Sequence, residues 1–468
     1  MKVIYSVLLA VVFTFASWAF VSSAQARVDT IINAKINLNP ECIPQAEMKA
    51  IASHFTQFSN LARADFCNDN SQNWHLVSSI VFMRKTQFSE TMKPSQDELF
   101  SGRFSKNWYG YFIGRINRLN VVDDCPKGVI AYVTGFGDKV MYTCPAALTN
   151  NFSSLDRASV MMHEARHIDG FPHITCTKGA RKGLQGACDV KIADGGSYAV
   201  TVETYAQLAK FAEGIHPALK TYAKLSAVIY ADEAFENPVK IKRSENLLVL
   251  ANTLDFYSVD VQKNEIKKLG KTSAPGRIVR KGQQMIIFPD DKTLKAQYVF
   301  SNDAGELNQS PSDFVTEYNA QNPGQKANLV DLHVGAQWSA RIYKNKVSLI
   351  CNPRSFEIKD IQLPNSLTAT GLIYPEGYAR DKYTVLLTTE NGEVFEAGCV
   401  NMQGSLKAST LRLDQKYLRI HKAGAQVFGL AADGKLYKLE AGRSTPVQTS
   451  LDGSIIEIIP QQSFEFFE

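Results

Sequence analysis

The amino-acid sequence predicts an α+β domain followed by an all-β domain. Its 468 residues are too many for one ordinary core, so two domains are expected. Apolar residues recur at helical spacing up to Asn237-Pro238, and beyond that point they fall into short strand-like runs broken by turns. A third observation is chemical: eleven consecutive residues, His163 to His173, hold three of the eight histidines. The expected boundaries are a leader at 1–26, the α+β domain at 27–238 and the β-rich domain at 239–468.

The leader reads as a secretory signal peptide. Lys2 is its positive end, Val7 to Phe20 its apolar run, and Ala24-Gln25-Ala26 a small-x-small cleavage site. The rival reading is an uncleaved anchor, but the apolar run is short for a bilayer. No stable membrane insertion is expected once it is cleaved, so the protein is expected to be secreted or periplasmic. Loss of Lys2 takes the net charge from +5 to +4, a small surplus spread along the chain. No nucleic-acid partner is therefore assigned.

All eight cysteines lie beyond the leader, and an even number in an exported chain points to disulfides. Pairing of neighbours is expected: Cys42 with Cys67, Cys125 with Cys144, Cys176 with Cys188, and Cys351 with Cys399. Buried free thiols are the competing view.

The first domain opens with three expected helices, Pro44 to Ala62, Ser71 to Met83, and Trp108 to Leu119. His54 and His75 fall here with no partner at metal spacing, so neither is taken as a ligand. Val129 to Val133 and Lys139 to Tyr142 flank a Gly-containing turn and predict a β-hairpin. A helix then starts at Ser153 or Ser154, where Ser153 and Asp156 have the spacing of a capping box. Leu155, Ala158, Met162 and Ala165 form one face of it, suited to packing inward. The two histidines His163 and His167 lie on another face, expected to look into a cleft.

Those histidines belong to His163-Glu164-Ala165-Arg166-His167-Ile168-Asp169-Gly170-Phe171-Pro172-His173, which is H-E-x-x-H-x-x-G-x-x-H. Four residues apart on a helix, the imidazoles of His163 and His167 can share one metal ion. Glu164 stands beside them, where its carboxylate can reach a water without being a ligand. Gly170 suits a left-handed turn just past the helix end. Such a turn could return the chain so that His173 adds a third nitrogen.

The motif resembles the signature of the zincin zinc metallopeptidases, and its long form that of the metzincins. The resemblance covers the motif alone, and no Met lies between His173 and Met285, so no Met-turn is evident. It implies Zn²⁺ held by His163, His167 and His173, Glu164 as general base, and a protein or peptide substrate. It also implies that an edge strand beside the metal helix holds the substrate extended, a part the hairpin could play; a purely packing hairpin is the alternative. In another zincin branch a Glu from a downstream helix is the third ligand, which makes Glu203 the competitor of His173. Asp194 and Asp169 are weaker candidates.

A loop from Ile174 to Gly196 precedes helices at Ser197 to Glu213 and Ala218 to Glu236. Tyr198 and Tyr205 could donate to an oxyanion, although each also fits as a core aromatic. Arg166 suggests a salt bridge, and His216 a helix boundary. Strand-like runs follow at Leu247–Tyr257, Gln284–Phe288, Ala340–Leu349, Tyr383–Phe395, Gln426–Leu439 and Ile455–Phe466. Those around Asn391-Gly392 and Asp433-Gly434 repeat one form about 42 residues apart, a spacing in the range of propeller blades. A β-propeller of about five blades is the leading expectation and a β-sandwich the alternative. His333 and His421 are isolated there and carry no expected site role.

The expected function is an exported zinc-dependent endopeptidase with a β-rich accessory domain. The alternative from another class is a non-catalytic binding or scaffold protein whose β-domain mediates contacts and whose metal site is vestigial. A third possibility is that H-E-A-R-H is an ordinary salt-bridged helix.

Overall fold

The computed structural model describes residues 41–464 apart from 90–98, 100–106, 127–128, 136, 150–151, 179–180, 238, 240, 242, 282–283, 292–293, 295, 303–304, 313–328, 335–338, 352–357, 365–366, 374–383, 401–402, 412, 424 and 441–442. The expected leader at 1–26 lies outside the described residues. Contacts divide the chain into two compact units, which meet in sequence between Lys240 and Ile241.

The first unit carries helices α1 (Gln45–Ala52), α2 (Gln72–Lys85), α3 (Trp108–Ile113), α4 (Ser154–His167), α5 (Ser197–Phe211) and α6 (Pro217–Glu233). Between them run β1 (Cys42–Ile43), β2 (Phe66–Cys67), β3 (Gln87–Phe88), β4 (Arg118–Val121), β5 (Ala131–Val133), β6 (Val140–Thr143), β7 (Asp189–Lys191), β8 (Ala212–Glu213) and β9 (Phe235–Asn237). The hairpin strands β5 and β6 pair antiparallel, and β4 joins β6 in parallel to give the order β4-β6-β5. This leaves β5 on the outside of its sheet. β7 and β9 pair in parallel.

Two expected helices are much shorter than their patterns suggested, and the last two stop at Phe211 and Glu233, with the short strands β8 and β9 after them. The first stops at Ala52 and continues as 3₁₀ turns at Thr56–Phe58 and Leu61–Arg63, because Phe55 leaves helical backbone at φ −102°, ψ 81°. Apolar spacing persisted through this break, since Phe55 and Phe58 are buried from the 3₁₀ segment instead. The third ends at Ile113, with Gly114 as its cap, and the residues after it form β4.

Helix α4 begins as its capping pattern indicated: Ser153 Oγ accepts from the Asp156 N–H at 3.0 Å. It is not two-faced, however. Every residue of α4 except Arg166 is buried, because α2, α3 and α5 as well as β5 and β6 all pack on it. Polar residues on such a helix need partners, and Arg157 finds them in Ser79 Oγ at 2.8 Å and the Thr149 carbonyl at 3.1 Å. The expectation that its histidines face an open cleft is corrected accordingly: His163 is fully buried.

The second unit is built from strands. Three of its sheets are four-stranded antiparallel meanders in chain order: β17 (Leu329–Val334), β18 (Ser339–Tyr343), β19 (Lys346–Ile350), β20 (Ile358–Gln362); β21 (Ala369–Ile373), β22 (Thr384–Thr389), β23 (Val394–Val400), β24 (Gln403–Ala408); and β25 (Arg419–Ala423), β26 (Gln426–Leu430), β27 (Leu436–Glu440), β28 (Arg443–Val447). A fourth meander, β13 (Gly276–Lys281), β14 (Gln284–Pro289), β15 (Ala296–Ser301) and β16 (Leu307–Ser312), comes before them in sequence. The last strand, β29 (Ile455–Phe464), pairs with β10 (Arg243–Ala251), followed outward by β11 (Asp255–Asp260) and β12 (Glu265–Lys271). One parallel bridge, Gly270 to Leu307, joins these last two sets into an eight-stranded sheet. Five strands touch in a closed cycle: β13 with β17, β17 with β21, β21 with β25, β25 with β29, and β29 with β13.

Apolar side chains fill the space between sheets. Ala340, Ile342, Val347 and Leu349 of one meander pack with Val385, Leu387 and Ala397 of the next, where Cys351–Cys399 also crosses. Each buried Val, Leu or Ile contributes about 1.5–3 kcal/mol relative to exposure. Among the described residues the four disulfides are Cys42–Cys67, Cys125–Cys144, Cys176–Cys188 and Cys351–Cys399, the neighbour pairings expected from the sequence. Among those residues no helix is long and apolar enough to cross a membrane.

Candidate metal centre

The last turn of α4 presents His163 and His167 together, their ring centroids 4.9 Å apart. The chain then reverses through Gly170 at φ +90°, backbone that favours glycine, with the Gly170 N–H donating to the His167 carbonyl at 3.0 Å. This reversal returns His173 to the pair. Nitrogens of His163, His167 and His173 all lie within 4.8 Å of one another, and the three residues are buried.

Hydrogen bonds settle which ring nitrogen carries each proton. His167 Nδ1 faces the Phe171 carbonyl at 2.6 Å, which can only accept, so Nδ1 bears the proton. His173 Nδ1 lies 2.7 Å from Asp189 Oδ1 and donates to that carboxylate. His163 Nδ1 lies 2.9 Å from Thr201 Oγ1, whose own proton goes to the Ser197 carbonyl, so this imidazole also donates through Nδ1. The three Nε2 atoms are therefore lone-pair donors. Two of them, on His163 and His173, stand 2.9 Å apart, and His167 Nε2 is buried with no hydrogen-bond partner among the described residues. Burial holds His163 and His167 well below the ordinary imidazole range, with neighbouring imidazoles adding to the effect, so both stay neutral and suited to a metal. The donor set fits a divalent transition ion.

Glu164 sits next to His163, fully buried, and neither carboxylate oxygen has a hydrogen-bond partner among the described residues. Burial alone pushes its carboxyl up to about 8 in the metal-free protein. Tyr198 packs on the centre as an aromatic, its ring centroid 4.4 Å from His173 and 5.0 Å from His163.

The other sequence candidates are elsewhere. Glu203 is buried but outside the histidine cluster, accepting from Gln207 at 3.4 Å. Asp194 pairs with Lys191 at 3.4 Å, and Asp169 bridges Arg115 and Arg166 at 2.8 and 2.7 Å. Tyr205 donates to Asp156 at 2.8 Å, which removes it as an oxyanion donor. His54 bonds the Ile116 carbonyl, and His216 caps α6 by accepting from the Ala218 N–H. His421 is buried in β25, and the side chain of His333 lies outside the described residues. Sequence reasoning missed Asp189 and Thr201. Asp189 opens the short strand β7 inside a Gly-, Lys- and Cys-rich segment that reads as loop, and Thr201 is one helix position among many, so neither carries a local signal.

Comparisons with known proteins add little. No family model matches the chain, and no curated protein matches it. Among solved structures it is similar to PorZ, a surface component of the type IX secretion system of Porphyromonas gingivalis (13% identity, 45% of this chain and 30% of that one, TM-score 0.24). It is also similar to BBS1N in complex with ARL6DN (14% identity, 36% of this chain and 50% of that one, TM-score 0.22). A third is a putative 6-phosphogluconolactonase from Bacteroides uniformis (11% identity, 44% of this chain and 67% of that one, TM-score 0.24). The chain thus spans 30% and 50% of the first two, and TM-scores this low carry no argument about fold or activity. What the chain possesses by its own geometry is a buried three-histidine group able to hold a metal ion.

Proposed function

We propose that the protein is an exported zinc metallopeptidase of the zincin type, with endopeptidase activity. The observation that carries this reading is the meeting of three imidazoles beside a buried carboxylate that has no hydrogen-bond partner among the described residues. His163, His167 and His173 would hold the ion, and an all-imidazole set suits Zn²⁺. When bound, the ion supplies Lewis acidity, which acidifies water and polarises a carbonyl. Glu164 acts as general base, taking a proton from the attacking water and returning it to the leaving amine. Its lack of other hydrogen bonds leaves both oxygens available for that work. An extended peptide would add to β5, the outer strand of its sheet, which packs on α4.

The four disulfides suit an oxidising compartment, in keeping with export to a periplasm or beyond. The second unit is read as a five-bladed propeller and accessory domain. Supporting this are the closed cycle of contacts through β13, β17, β21, β25 and β29, and the pairing of the final strand β29 with β10, which completes a blade from both ends of the unit.

Complete burial of His163 and Glu164 favours a second reading, a closed metal site in a scaffold protein whose β unit makes the contacts. One experiment separates the two. Purified full chain is assayed for zinc content and for cleavage of an unstructured protein such as casein, alongside Glu164→Gln. The peptidase reading expects about one zinc per chain in both proteins and cleavage only by the unsubstituted one. Zinc in both and cleavage by neither selects the scaffold; equal cleavage by both removes Glu164 from the reaction.

A further inference from the structure

We propose that Asp189 is a positioning residue for the metal centre, tying the third histidine to the start of the helix that orients the first. This rests on the metal-binding reading above and adds a residue that the motif does not contain. Ile174 and Cys188 form an antiparallel bridge, closed further by the Cys176–Cys188 disulfide. One residue outward on each side stand His173 and Asp189, so the ladder itself sets them opposite one another. Asp189 Oδ1 accepts a hydrogen bond from His173 Nδ1–H at 2.7 Å. Its other oxygen, Oδ2, accepts from the Tyr198 N–H at 2.9 Å, in the first turn of α5. That turn has no cap of its own, because Gly196 occupies the N-cap position and makes no side-chain bond. The carboxylate therefore caps α5 from outside.

The same helix carries Thr201, one turn on, which receives His163 Nδ1 at 2.9 Å. Two of the three candidate ligands are thus oriented through the N-terminal turns of α5, one directly and one through Asp189. Both bonds to His173 and Tyr198 must hold for the link to work, and Asp189 is buried. Partners of this kind fix the tautomer and ring direction of a metal-ligating histidine.

Gly196 offers an independent handle on the link. A Cβ there would stand 2.5 Å from Asp189 Oδ2. The backbone at Gly196 is extended, φ −70° and ψ −172°, and any residue can adopt it. The three nearest atoms to such a Cβ all belong to the Asp189 carboxylate, so Gly196→Ala demands its displacement, which would draw it off one of its two partners.

The test compares full-length wild type, Asp189→Ala and Gly196→Ala, each stripped of metal and checked by circular dichroism. Zinc affinity is read by competition with a chromophoric chelator, and ligand geometry by the visible absorption of the Co²⁺-loaded proteins. Expected is a zinc affinity about 10–100-fold weaker in both variants, with an altered Co²⁺ spectrum. Were Asp189→Ala to misfold, Gly196→Ala alone decides, since it keeps the carboxylate. Affinity within twofold of wild type in a folded variant, with an unchanged cobalt spectrum, overturns the role of Asp189 and leaves the metal site standing. Wild type that binds no zinc overturns both.

Discussion

The two halves of helix α4 treat a buried carboxyl group in opposite ways. Near its start, Asp156 accepts from Tyr205 and Tyr222, both at 2.8 Å on Oδ1, and from Ser153 at 2.7 Å on Oδ2. Two turns later Glu164, equally buried, has no hydrogen-bond partner on either oxygen among the described residues. Burial raises the pKa of both carboxyls, but only around Asp156 do hydroxyls oppose the shift. A fully bonded buried acid is part of the scaffold, whereas one left bare costs stability that an ordinary core would not retain. The difference marks where the helix changes from a structural element into a candidate reaction site.

Matched substitutions sharpen that contrast, and the largest effect is expected at Glu164. Glu164→Gln should lower the rate of peptide hydrolysis by about 10²–10⁴-fold, the usual contribution of a general base. Because the carboxylate bonds nothing, urea denaturation of the metal-free variant should show no loss of stability. A clear drop in its unfolding midpoint would mean that Glu164 has a structural role after all. Metal removal comes next. Zinc at about a thousand times its dissociation constant would stabilise the folded first unit by about 4 kcal/mol. Calorimetry with and without a chelator should show one transition lowered and a second, from the β unit, unmoved; two unmoved transitions would argue against a tightly held ion.

The histidines were legible in the sequence because their relation is local. His163 and His167 are set by helical spacing, and Gly170 announces the reversal that returns His173. Their surroundings were not legible. Asp189 reaches His173 through a cross-strand pairing, and Thr201 reaches His163 across two packed helices, so each depends on tertiary placement alone. Burial of α4 was misread for a related reason. Asp156, Arg157, His163 and Glu164 look like an exposed face in a periodicity plot, yet each is buried by neighbouring elements. In the second unit, strands with apolar runs such as Gln426–Leu430 stood out, whereas Gln403–Ala408 and Arg443–Val447 are polar outer strands with little pattern. Leu247–Tyr257 read as one run because apolar residues flank the turn at 252–254, where Leu254 adopts φ +67°. It is two strands, β10 and β11.

At the other end of α4 the comparison predicts the reverse phenotype. Asp156→Ala leaves the Ser153, Tyr205 and Tyr222 hydroxyls without their shared acceptor in a buried site. The expected loss is about 3 kcal/mol of unfolding free energy in urea. Stoichiometry of zinc should stay near that of wild type in the folded fraction, since no ligand is touched. Loss of zinc without loss of stability would invert the assignment of the two halves.

His75 on α2 lies between these extremes, and its effect is expected to be the smallest. It is buried, and desolvation lowers its pKa from 6.5 to about 4, assisted by Arg157 and opposed by Asp69. The unfolded chain therefore binds a proton near pH 6.5 that the folded protein takes up only near pH 4. Between those values the unfolded state holds more protons, so stability falls as the pH is lowered through this window and the loss levels off below it. Above pH 6.5 both states are neutral at this position and no dependence arises from it. His75→Gln removes the titrating ring, so the unfolding free energy measured in urea should decline less steeply between pH 6.5 and pH 4 than in wild type. Parallel declines would show that His75 is protonated in place, and that the packing of α2 against α4 tolerates a charge there.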